Sequence, residues 1–220
     1  LRQPTTHDAI GDRAFGYAAE TVIALAKAAF EGLAAGGVVG CMKHMPGQGR
    51  ATVDSHHDLP RITATRGLMD VDFSVFAALA DTATMGMTGH VALDAIDNGI
   101  AATVSETVIS EVIRKRIGFD GLLMTDDLGM DALGGTLADR GARALEAGCD
   151  VLLHCSGFLR DPVGILREMH EVATAAGTLS GTALSRAKQA EDSVMPAQPI
   201  DTQAEWARFD AMLASTQSGV

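Results

Sequence analysis

The stretch KHMPGQGRATVDSHHDLP, residues 43–60, gathers Lys43, His44, Asp54, His56, His57 and Asp58 around a framework of Gly and Pro. So many titratable groups do not suit a core, and the run is too short for a disordered linker. A loop of this composition is a candidate working loop. Asp54, two residues before His56, could orient an imidazole as an acid/base dyad. His56 and His57 with a carboxylate could instead ligate a metal. In the third reading the histidines merely sit in a solvated loop. Lys43 and His44 stand where an apolar run gives out, as hydrogen-bond donors for the hydroxyls of a small polar ligand.

A second cluster, MTDDLGM, sets Asp126 and Asp127 just past another apolar run. Asp127 suits the cap of a following helix. Asp126, at the mouth of a buried strand, is the stronger candidate for chemistry. Neighbouring side chains at a strand end point in different directions, so the two carboxylates need not share a role. Arg13 in IGDRAF is a further candidate, although taken alone it reads as an ordinary salt bridge with Asp12.

The elements that must position these groups alternate. Ala18–Gly37 has helical apolar spacing and ends at a Gly pair. GVVGCM follows as a short strand, with the working loop directly after it. DVDFSVFAALADT reads as helix and ATMGMTGHVAL as a strand running into a loop at His90. Ser105 can cap a helix that Gly118 stops. GLLMTDDLGMD is a strand, LADRGARALEAGCD a helix stopped at Gly148, and DVLLHCSG a strand. Helices are expected near 162–176, 185–194 and 204–214. Continuous apolar strands whose last residues turn polar are the pattern of parallel βα units, with working groups at the carboxyl edge. Four clear strands are too few for a closed eight-stranded barrel, so either strands are hidden or the chain is the later part of a longer protein.

The chain has 220 residues, 47% hydrophobic, a mean hydropathy of +0.15 and a formal charge of −11. That suits one domain, and its acidity argues against nucleic acid or anionic membrane as partner. Cys41, Cys149 and Cys155 lie in apolar runs and read as buried, reduced thiols of a cytoplasmic protein. No segment matches a membrane helix or a signal peptide. Scarce aromatics favour a small polar pocket over a long stacking groove.

Taken together, KHMPGQGRATVDSHHDLP and MTDDLGMDAL closely resemble the cytosolic bacterial β-N-acetylglucosaminidases of glycoside hydrolase family 3, which act in peptidoglycan recycling. That family's pattern is K-H-F-P-G-H-G, then D-S-H, then S-D-D-L-S-M. IGDRAF is similar to its G-E-R-S-Y/F segment, GHV to A-H-V, and RKRIGFDG to R-x-x-L-G-F-D-G. The resemblance implies a retaining exo-glycosidase, with Asp126 as nucleophile, His56 as acid/base and Asp54 as the partner holding that histidine. It implies that Arg13, Lys43 and His44 grip the N-acetylglucosamine unit of N-acetylglucosaminyl-anhydromuramyl compounds, with no cofactor and no metal. Gln48, Met45 and Thr125 depart from the pattern and remove no catalytic group. The implied fold is a (β/α)8 TIM barrel, with residues 1–220 as the later two thirds of one catalytic domain. The absent part would supply the first strands, another acid and an arginine. The rival is a metal-dependent hydrolase using His44, His56, His57 and Asp126; a third reading is an inactive sugar-binding fragment.

Overall fold

The computed structural model describes residues 1–155 and 161–217. Its helices are α1 (Ala19–Ala35), α2 (Arg66–Ala77), a π-helix (Val108–Arg116), α3 (Leu137–Ala147), α4 (Pro162–Ala176), α5 (Gly181–Asp192) and α6 (Thr202–Gln217). Its strands are β1 (Cys41–Met45), β2 (Arg61–Ile62), β3 (Met85–Thr88), β4 (Ala92–Leu93), β5 (Leu122–Asp127) and β6 (Val151–Leu153). The four expected strands are β1, β3, β5 and β6. They form one parallel sheet in the order β1-β3-β5-β6, while β2 and β4 pair separately. Helices lie between successive strands of that sheet, as parallel connections require. The chain is thus α/β, and among the described residues its sheet is open, with β1 and β6 at the edges.

Two boundaries differ from expectation in ways that matter. β1 begins at Cys41, so Lys43 and His44 lie on the strand and not in the loop after it. The reason is the exit from α1. Gly37 adopts φ +76°, Val38 donates its N–H back to the Leu33 carbonyl at 2.9 Å, and Val38 remains half exposed. Residues 38–40 are spent turning the chain before ladder pairing starts at Cys41 opposite Met85. The second difference is the connection after β3, whose turns wind as a π-helix. Its N-terminal cap is as expected, with Ser105 Oγ accepting the Val108 N–H at 3.0 Å. Ser156 and Gly157 of the expected last strand lie outside the described residues.

Packing beneath the sheet is close. Phe119 is fully buried, and a Cβ added to Gly86 of β3 would fall 2.8 Å from its ring and 2.4 Å from Met45 Cε. The glycine therefore lets Phe119 and Met45 approach the strand. Of the cysteines, Cys149 is buried and its thiol is pushed up to about 12 by burial, but Cys41 is half-buried and Cys155 exposed. Three buried thiols were expected; Cys155 is exposed because it follows β6 out of the core. No helix among the described residues is long and apolar enough to cross a membrane.

Candidate active site

The carboxyl ends of β1, β3 and β5 bring the polar strand ends together. From β1, His44 points its Nε2 toward Asp126 Oδ2 on β5 at 3.6 Å. His44 is lowered from 6.5 to about 4, first by burial and then by the nearby positive charges of Lys43 and Arg13, with Asp126 opposing. It is therefore neutral at pH 7, able both to donate and to accept a hydrogen bond. Lys43, His44 and Arg13 also line one cavity of about 370 Å³, together with Gln48. Arg13 does not pair with Asp12. Its guanidinium donates to the Ala9 carbonyl at 3.3 Å and stays near enough to His44 to act on it.

Asp126 Oδ1 accepts the backbone N–H of Asp127 at 2.9 Å. Asp127 itself does not cap a helix. The next helix, α3, starts ten residues on and is capped by Thr136, with Asp139 closing a reciprocal capping box. Asp127 Oδ1 instead accepts the N–H of Gly129 at 2.9 Å and of Cys155 at 3.2 Å, tying the turn after β5 to the end of β6.

On the loop after β1, Asp54 Oδ1 accepts both the His56 backbone N–H at 3.0 Å and His56 Nδ1 at 2.7 Å. The carboxylate can only accept, so Nδ1 carries the hydrogen and the ring is turned by its own neighbour. These bonds, the backbone one first, hold the Asp54 carboxyl below its usual range. The His56 carbonyl accepts the Asp131 N–H at 3.4 Å, which joins this loop to the segment following Asp126. The His57 backbone N–H donates to the Asp54 carbonyl at 3.1 Å.

A buried polar chain lies beneath the site. His90 Nε2 is 2.9 Å from the Asp127 carbonyl oxygen, so that nitrogen must donate. Its Nδ1 then accepts from Thr103 Oγ1 at 2.7 Å, and Thr103 accepts from Thr88 at 2.8 Å. Burial, the largest cause, lowers the pKa of His90 and favours this neutral tautomer. The expected strand end at His90 marked its place, but nothing in its spacing revealed that it holds the backbone beside Asp126. Thr88 and Thr103 gave no signal, because small hydroxyls in apolar runs are ordinary core residues.

The description "Glycosyl hydrolase family 3 N terminal domain" matches residues 3–189. A β-hexosaminidase of Chromobacterium violaceum is 43% identical over 152 residues, covering 67% of this chain and 42% of that protein. Among solved structures, a family 3 β-N-acetylglucosaminidase from Paenibacillus sp. str. FPU-7 superposes with a TM-score of 0.75 at 26% identity, covering 90% of this chain and 40% of that one. NagZ from Neisseria gonorrhoeae, in complex with N-trifluoroacetyl-D-glucosamine, gives 0.71 at 28% identity, covering 86% of this chain and 53% of that one. The match thus spans less than half the length of the first curated relative, 42% of it.

Proposed function

The chain belongs to glycosyl hydrolase family 3, and from that membership we propose that it carries the catalytic face of a retaining β-N-acetylhexosaminidase. Asp126 attacks the anomeric carbon as the glycosidic bond breaks, while His56 gives its proton to the leaving oxygen. Water then attacks the glycosyl-enzyme, His56 takes the water's proton, and Asp126 is released. An imidazole can fill both roles without the upward pKa shift that a carboxylic acid needs. Asp54 holds the ring, and Arg13, Lys43 and neutral His44 grip the N-acetylglucosamine unit. The Asp54–His56 pair, bonded at 2.7 Å and again through the backbone, is the single observation that carries this reading.

In this reading the four strands belong to a (β/α)8 barrel, with residues 1–220 as the later part of one catalytic domain. The substrate class is a β-linked N-acetylglucosaminide, and the family resemblance extends this to muropeptides of cell-wall recycling in the cytoplasm. For the metal-dependent alternative, no three His, Cys, Asp or Glu side chains among the described residues are grouped to hold a metal ion. No step is assigned to a metal.

The test uses leaving groups of different quality. His56→Ala should lose roughly 10²–10⁴-fold in kcat/KM on a disaccharide, because proton transfer to the departing sugar is gone. A nitrophenyl glycoside needs little protonation and should lose less. A chelator should leave the wild type unaffected. Equal losses on both substrates, with a chelator-sensitive wild type, would transfer the assignment to a metal hydrolase. Failure of the wild type on either substrate would favour an inactive sugar-binding fragment.

A further inference from the structure

A histidine outside the set discussed so far reaches the same strand mouth. His154 follows β6 directly, and its side chain is only 4% exposed. Its Nε2 bonds Glu168 Oε2 on α4 at 2.8 Å, and its Nδ1 lies 3.2 Å from Asp127 Oδ1. The ring also packs on the turn after β5. A Cβ added to Gly129 would meet both His154 Cε1 and Asp127 Oδ1 at 3.2 Å. An apolar side chain could fill this space without setting a polar ring against two carboxylates, one of them, Asp127, mostly buried, so packing alone does not account for a histidine here.

We propose that His154 is a positioning residue for glycoside cleavage: braced by Glu168 on α4, it fixes the Asp127 carboxylate and thereby the peptide that aims Asp126. The link is short. Asp127 donates its backbone N–H to Asp126 Oδ1 at 2.9 Å, so rotation of Asp127 turns the carboxylate that faces His44. The inference rests on Asp126 being the nucleophile. Misaiming a nucleophile slows its attack whatever group departs, which separates this role from that of His56.

The experiment compares His154→Leu, His154→Asn and Gly129→Ala with wild type on a nitrophenyl N-acetylglucosaminide and a disaccharide. His154→Leu should lower kcat by about 10²-fold on both substrates alike, with KM little changed. His154→Asn keeps a polar side chain beside Asp127 and should recover most of that loss. Gly129→Ala presses on the same ring and carboxylate and should move kcat in the same direction, which keeps the test open if His154→Leu fails to fold. Crystals of the variants add a readout independent of turnover. The 3.6 Å separation of Asp126 Oδ2 and His44 Nε2 should change in His154→Leu. A normal kcat per folded molecule, an Asn variant no better than Leu, or an unmoved Asp126 would overturn the proposal. Asp126→Ala is the control. Turnover by that variant removes the nucleophile reading itself, whereas a dead Asp126→Ala beside a normal His154→Leu removes only this inference.

Discussion

A carboxylate that is to attack carbon must stay ionised and aimed while a sugar displaces water around it. His44 answers part of that need by being neutral. Burial lowers it to about 4 from 6.5, although Asp126 alone would raise it. The sign of its linkage follows directly. The unfolded chain binds a proton at this residue before the folded one does, so its stabilising contribution is complete above pH 6.5 and is lost as pH falls toward 4. Melting temperature should therefore fall over that window, and His44→Asn should flatten the fall. Calorimetric scans of both proteins check this; a difference that is constant from pH 7 to 4 would contradict it. The candidate residues stood out in the sequence because charged groups at the ends of apolar runs have few structural uses. His154 was not, since its partners Asp127 and Glu168 stand far along the chain and no spacing announces them.

Elements hold these residues through contacts that local sequence barely hints at. The strands could be read as apolar runs, yet the start of β1 was misplaced because a helix exit at Gly37 consumed residues that look like strand. Asp150 shows the same limit. It was read only as the first residue of the expected strand DVLLHCSG, but it is a buried carboxylate serving three elements. It accepts the Leu123 N–H of β5 at 2.8 Å, Arg114 Nη2 of the π-helix at 2.8 Å and Arg186 Nη1 of α5 at 3.1 Å. Removing this carboxylate leaves the Leu123 N–H without its acceptor and the half-buried Arg114 without its counter-ion, although Arg186 keeps Asp120, at a cost of about 3 kcal/mol. Asp150→Ala should lose that much in denaturant unfolding, with Arg114 left without its ion pair. A loss below about 1 kcal/mol, the scale of an exposed ion pair, would show that the network is not structural.

At the scale of the molecule, the sheet has two edges among the described residues and the surface carries large apolar groups. Leu166, Ile200 and Trp206 are each about two-thirds exposed, at 67%, 66% and 65%. Open edges and exposed apolar side chains favour association. The 220 residues by themselves should therefore self-associate, and light scattering that reports a stable, cooperative monomer would contradict the open-sheet account. The opposing term is the net charge of −11, which favours solubility without closing an edge. The central claim, that Asp126 bonds covalently to the sugar, is tested most directly by trapping that bond. A fluorinated N-acetylglucosaminide with a good leaving group slows hydrolysis of the glycosyl-enzyme more than its formation, because both transition states are oxocarbenium-like and only the second step lacks the activated leaving group. After proteolysis, mass spectrometry should find one glycosyl unit on the peptide bearing Asp126, and none in Asp126→Ala. A protein that turns over substrate yet carries the adduct on another residue, or never carries one, would contradict the account.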